Sequence, residues 1–190
     1  MFGLEDKLRG SVRKSIDFAK KGKIEVRIVS GDSMGTAKRT AINAGLITET
    51  EASIEGYCMT GEEFRKKVGG IKLSTERNVE NNLVYEVENL DEFRKIAGRV
   101  KVLARSNPDD KLALVSGLKQ LGKVVAVTGD SNNDAKALFN GNVGLAMGSG
   151  CEVAKDSSDM ILINDNFASV LFANMWGRAI YNNIKKFLQF

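Results

Sequence analysis

The chain has 190 residues, with 28 Lys and Arg against 24 Asp and Glu, a formal net charge of +4, two cysteines, one proline and no histidine. A hydrophobic share of 43% and a charged share of 27% suit one folded domain, or a domain with a tail, and argue against wholesale disorder. The lack of histidine excludes Ser-His-Asp and Cys-His catalysis within these residues, and His-ligated zinc.

No apolar run approaches the ~18 residues of a membrane span, and the first residues carry no signal-peptide pattern. Cys58 and Cys151 make no disulfide scaffold and fit a reducing compartment. Both read as small packing residues, since nothing basic nearby in sequence activates them. The positive charge is scattered, with no basic stripe interleaved with aromatics, so nucleic acid is not an expected partner.

In chain order, residues 24–30 (IEVRIVS) alternate apolar and polar and predict a strand ending in Gly31-Asp32. A helix is expected from about Ser33 to Ala44, closed by Gly45. Residues 74–82 (STERNVENN) are polar and read as a surface loop. Residues 100–104 form a second short strand. Pro108 opens a helix to about Leu121, which Gly122 closes. Residues 123–128 (KVVAVT) read as a strand buried on both faces, ending in Gly129-Asp130. Two further strands are expected at 143–147 and 160–163. Strands alternating with helices at this spacing imply parallel βαβ units and an open α/β sheet. Residues 166–190 read as one helix. Its apolar stripe is Ala173, Trp176, Ile180, Ile184 and Phe187, with Arg178, Lys185 and Lys186 off the stripe. Its first half is expected to pack and its last turn to project.

Two segments share a design. Residues 26–33 (VRIVSGDS) and 125–131 (VAVTGDS) each run from an apolar strand into Ser or Thr, Gly, Asp and Ser, then a helix. A parallel sheet puts both turns on its carboxyl edge, where such sheets bind ligands. Their free N–H groups suit a phosphate. Asp32 reads equally as a helix N-cap. Asp130 and Asp134, four apart, can face the same way, and with nearby amide oxygens they make a hard-oxygen site suited to Mg²⁺. The plain alternative is a polar turn with Asp134 favouring the helix dipole. Lys111, beside Asp109 and Asp110, reads by spacing as a solvated surface lysine, or as a point charge for a phosphoryl group.

Residues 125–138 (VAVTGDSNNDAKAL) resemble the hinge motif TGDGxNDAPAL of the P-type ATPases. GLEDKLRGSV at 3–12 resembles that family's GxxDPLRPEV, and VRIVSGDSMGTAKRTAINAGL at 26–46 resembles VxMVTGDxxxTAxAIAxxxGI. MTGEEFRKKV, VLARSNPDDKLALVSGLK and the tail from Cys151 follow in order. The tail, with WGR and its KFLQF ending, is most similar to plasma-membrane-type, calmodulin-regulated calcium pumps.

The resemblance implies an α/β fold: a haloacid-dehalogenase-like Rossmannoid parallel sheet. It implies a partial phosphorylation domain over 1–165 and, over 166–190, a stalk helix leading toward a membrane span. It further implies Mg²⁺ at Asp130 and a polar network around the phosphoryl group completed by Asn133 and Asp134. Ser30 and Gly31 would contact phosphoryl oxygens, Asp32 the nucleotide or its Mg²⁺, Lys111 the phosphate charge and Arg105 the ribose of ATP. Phosphoryl transfer is mainly positioning and charge neutralisation, which suits this set. The implied partners are the remaining segments of a membrane-bound pump, a membrane surface met by the last helix on its cytoplasmic side, and calmodulin on the full pump.

The family's nucleophile sits in DKTGT, which does not occur in this sequence. The chain is therefore expected to be inactive alone. In the family the strand bearing that motif lies between the strands read at 24–30 and 123–128. Its absence predicts a slot filled in trans, direct closure of the two strands, or an aggregation-prone chain. Further departures are Ser131 for a glycine, Asn132 and Ser30 for threonines, and Lys136 and Lys7 for prolines. A side chain at 131 is expected to crowd a tight turn, and Lys136 to add a cation near the Mg²⁺ site. The competing functions are a soluble phosphatase of the same fold, with Asp32 or Asp130 as nucleophile, and a degenerate, non-catalytic binding module.

Overall fold

The computed structural model describes residues 7–77 and 83–190. Helix α1 spans Ser11–Lys21, followed by strand β1 at Ile28–Val29 and α2 at Met34–Asn43. Next come β2 (Cys58–Thr60), α3 (Gly61–Val68), β3 (Ile71–Arg77), β4 (Leu83–Val87) and α4 (Leu90–Ala97). Strand β5 (Val102–Ala104) leads into α5 (Pro108–Gln120), then β6 (Ala126–Gly129), α6 (Ala135–Asn140), β7 (Val143–Met147), α7 (Glu152–Asp156), β8 (Met160–Leu162) and α8 (Phe167–Gln189).

The parallel strands form two separate three-stranded sheets, ordered β1-β5-β2 and β6-β7-β8. Central strand β5 shows why the first sheet is buried on both faces. Side chains alternate across a strand. Leu103 therefore joins Met59, Phe64, Phe93, Ile96 and Leu114 on the α3–α4–α5 side. Val102 and Ala104 join Ile16, Ala37, Ala41 and Ile47 on the α1–α2 side. Phe64 and Phe93 meet edge to face with ring centroids 6.1 Å apart, the arrangement aromatic pairs prefer.

Helix α5 holds the molecule together. Asn107 caps it by accepting from the Asp110 amide at 2.7 Å, and the Asp110 carboxylate accepts from the Asn107 amide at 2.8 Å. Pro108 stands in its first turn, where the missing N–H costs nothing. Gly122 follows with φ +73, the left-handed conformation that ends helices. Residues 112–117 are buried without interruption, since α5 packs on α4, on the β3–β4 hairpin and on α6. Lys119 Nζ donates to the Asn140 carbonyl at 2.6 Å, so α5 ties one sheet to the other.

Several expectations change here. The strand read at 24–30 shrinks to Ile28–Val29, because β1 pairs with short β5 and has no partner on its other edge among the described residues. Residues 74–77, read as loop, continue β3, whose hairpin with β4 satisfies a polar strand; the rest of that stretch, 78–82, lies outside the described residues. Strand β6 is not buried on both faces: Val124 is 86% exposed, and Ala126 and Thr128 are exposed. The cause is its outer edge, which is unpaired among the described residues. Direct closure of β1 on β6 does not occur.

Helix α8 docks by its root. Ser11 Oγ donates to Asn166 Oδ1 at 3.0 Å, Phe167 packs on the α1–α2 core, and Arg178 Nη1 donates to the Gly22 carbonyl at 3.0 Å. From residue 174 onward every residue is exposed, including Trp176 at 64% and Phe187 at 79%. The projection is longer than one turn because α1 runs for only about 16 Å against about 34 Å for α8. No helix of the described residues is long and apolar enough to cross a membrane.

Phe93 is fully buried where α3, α4 and α5 meet. Phe93→Ala is expected to lower stability by about 3–5 kcal/mol, read from urea unfolding.

Candidate functional site

Edge strands β1 and β6 each deliver a loop to the carboxyl edge of their sheet. After β1, the Ser30 carbonyl accepts from the Ser106 amide at 3.0 Å and the Ser106 hydroxyl at 2.9 Å. The Ser30 hydroxyl accepts from the Asp32 amide at 3.1 Å, and the Asp32 carbonyl accepts from the Arg105 amide at 2.9 Å. These bonds hold Arg105 at φ +47, a backbone conformation costly for a non-glycine residue. Gly31, Asp32 and the Arg105 side chain are exposed. Asp32 does not cap α2. The cap is Ser33, whose hydroxyl accepts from the Thr36 amide at 3.3 Å. The Asp32 carboxylate therefore has no hydrogen bond or ion pair to a described residue.

After β6, the loop turns into a short 3₁₀ segment at Asn132–Asp134 before α6. Asp134 is its hub. Its Oδ1 accepts from Lys111 Nζ at 2.6 Å. Its Oδ2 accepts from the Ser131 hydroxyl at 2.7 Å, with the Ser131 and Asp130 amides at 3.3 and 3.4 Å. Burial pushes this carboxyl up, but the Lys111 ammonium and the Ser131 donors outweigh it and hold Asp134 below the usual carboxylate range. Lys111 is thus no solvated surface lysine: its side chain is 18% exposed and that of Asp134 11%. Spacing along α5 cannot reveal a partner on another element.

Ser131 does not crowd the turn. Its backbone is extended, with φ −122, and its hydroxyl becomes a donor to Asp134. Lys136 reaches Asp109 on α5 at 3.4 Å. Asp130 and Asn133 are exposed and make no side-chain hydrogen bond or ion pair to a described residue. The Cys58 thiol is pushed up by burial, the opposite of what a nucleophile needs.

A third loop, after β7, was not anticipated, although Gly148-Ser149-Gly150 following an apolar strand is a readable signal. The Cys151 amide donates to the Asp130 carbonyl at 2.8 Å, and its thiol to Asn132 Oδ1 at 3.0 Å. Gly150 packs so closely that a Cβ there would lie 3.0 Å from the Asp130 backbone. The Ser149 amide donates to Asp165 Oδ1 at 3.1 Å. Ser106 was also missed; nothing in the sequence marks it.

The structure therefore joins Ser30 to Asp32 through the Ser30 hydroxyl and Asp32 to Arg105 through the backbone, and it joins Lys111 and the Asp130 amide through the Asp134 carboxylate. The first turn of α5, which follows Ser106 and carries Lys111, connects the two groups. No group of three or more Cys, Asp or Glu is placed to hold a metal among the described residues. The one donor placed to fit Mg²⁺ among the described residues of this loop is the exposed Asp130 carboxylate, and Mg²⁺ takes as few as one or two carboxylates from protein.

No family model matches the chain. It is 43% identical over 189 residues to the plasma membrane-type calcium-transporting ATPase 7 of Oryza sativa subsp. japonica, spanning 99% of this chain and 16% of that protein. It is 44% identical over 189 residues to the calcium-transporting ATPase PAT1 of Dictyostelium discoideum, 99% of this chain and 15% of that protein. It is 43% identical over 190 residues to calcium-transporting ATPase 2 of Schizosaccharomyces pombe, covering 13% of it. The fold is similar to the catalytic domain of the CPx-ATPase CopB-B, with a TM-score of 0.58 and 20% identity, covering 89% of this chain and 46% of that one. The chain is related to the P-type ATPases. Within that class its whole length is homologous to one segment of the calcium-transporting ATPases, several of them plasma-membrane-type.

Removing one partner of a buried ion pair costs about 3–5 kcal/mol, so Lys111→Met is expected to destabilise the chain by about 3 kcal/mol at neutral pH. The folded pKa of Asp134 is lowered. Its stabilisation is therefore full above the unfolded-state value of about 3.9 and fades as pH falls through the folded value. The gap between variant and wild type should close on acidification below about pH 4, measured by urea unfolding.

Proposed function

We propose that this chain supplies the Mg²⁺- and phosphate-binding loops of an ATP-driven calcium pump. Residues 1–165 would form the C-terminal part of its phosphorylation domain, and 166–190 the start of a stalk. The observation that carries this reading is the convergence at the carboxyl edge of an open carboxylate, Asp130, a lysine–carboxylate pair, Lys111–Asp134, and the Ser30–Asp32 turn, beside two strand edges that are unpaired among the described residues.

Each residue's part follows from its chemistry. Asp130 would hold Mg²⁺, which supplies charge neutralisation at a phosphoryl group when bound. Lys111, oriented by Asp134, presents its ammonium to phosphoryl oxygens as charge develops. Ser30 and Gly31 leave an exposed backbone turn for those oxygens, and Asn133 adds an uncommitted amide. Asp32 and Arg105 lie on the outer rim, where a nucleotide would approach. The sequence lacks the Asp-Lys-Thr-Gly-Thr nucleophile segment, so covalent phosphorylation requires a strand from another part of the pump. The unpaired edges of β1 and β6 suit that strand, whose N–H and C=O groups they would pair. Exposed α8, with Lys185 and Lys186 in its last turns, suits approach to a membrane surface.

A peptide with an apolar strand followed by Asp-Lys-Thr-Gly-Thr, added in trans, is the test. It should raise the unfolding temperature, and beryllium fluoride with Mg²⁺ should raise it further only when the peptide carries the aspartate rather than asparagine. No stabilisation by either peptide would sink the reading. Hydrolysis of an aryl phosphate by the chain alone, lost in Asp130→Ala, would favour the phosphatase instead.

A further inference from the structure

We propose that Ser131 is a positioning residue that sets how many carboxylates the cation site offers, an assignment that rests on the reading of Asp130 as the Mg²⁺ ligand. The loop carries two carboxylates, and the structure gives them opposite surroundings. Asp134 receives Lys111 Nζ on Oδ1, and the Ser131 hydroxyl with two backbone amides on Oδ2. A carboxylate offers about two lone-pair directions on each oxygen, so Oδ2 is fully used, and the direction left on Oδ1 lies beside the Lys111 ammonium, which repels a cation. Asp130, four residues earlier, is exposed and makes no side-chain bond to a described residue.

The hydroxyl decides this division. The amides reach Oδ2 at 3.3 and 3.4 Å, whereas Ser131 Oγ lies at 2.7 Å. The short O–H···O⁻ bond is the strong one of the three. A cation approaching Oδ2 must displace it. The backbone at 131 is extended, so it does not dictate a serine, and the glycine of the similar hinge motif has no donor to place there. Ser131 therefore withholds Asp134 from the cation, keeps it turned to Lys111, and leaves a site with one carboxylate of its own. Such a site binds Mg²⁺ weakly until another segment brings a second acidic ligand.

The test is Mg²⁺ titration of the 190-residue chain, followed by the backbone amide shifts of residues 129–134. Ser131→Ala removes the short donor to Oδ2, leaving only the two long amide contacts, and is expected to bind Mg²⁺ at least about threefold more tightly. Ser131→Thr keeps the hydroxyl, fits the extended backbone and should bind as the wild type does. Equal or weaker binding by Ser131→Ala, with Asp130→Asn abolishing binding, overturns this assignment alone. Binding that survives Asp130→Asn, or none by the wild type, overturns the metal reading and the assignment with it.

Discussion

The ion pair between Lys111 and Asp134 is the constraint around which the molecule is arranged. One partner comes from the first turn of α5, at the edge of the β1-β5-β2 sheet. The other comes from the loop after β6, in the second sheet. Both charges are largely removed from water, a costly placement unless each is matched. Asp134 meets that requirement with three further donors from its own loop. The pair thus fixes the relation of two loops that no strand pairing connects.

That arrangement explains an otherwise odd architecture. A continuous parallel sheet shares its ladder along its whole width. Here the ladder stops at β1 and resumes at β6. Continuity passes instead through the buried middle of α5 and its contacts with α6. The open edges are consistent with a chain that spans about 16% of a longer relative.

Much of this was legible in the residues. Strand β7 falls where its apolar run lies, and α5 begins at its proline and ends before Gly122, because local chemistry alone settles these points. What failed depended on partners. The run at 123–128 has a buried strand's composition, but composition cannot say whether a neighbour is present. Ser74 to Arg77 are too polar to read as a strand, and only the β4 partner, which meets Arg77 at Leu83 after a shift in register, extends β3 that far. Asp32 and Ser33 are both good caps, and only geometry chooses between them. The convergence of Lys111 on Asp134, 23 positions apart, and the hydroxyl at 131 belong to tertiary structure.

The loop after β7 has a mechanical consequence. It touches the Asp130 backbone through Gly150 and Cys151, and through Ser149 it grips Asp165, the residue just before the cap of α8. Two residues thus separate the acidic loop from the pivot of a lever about 34 Å long. A tilt of about 10° at that pivot would sweep the far end of the lever through about 6 Å. Because Arg178 also ties α8 to the Gly22 carbonyl, any such tilt would carry α1 along with the lever.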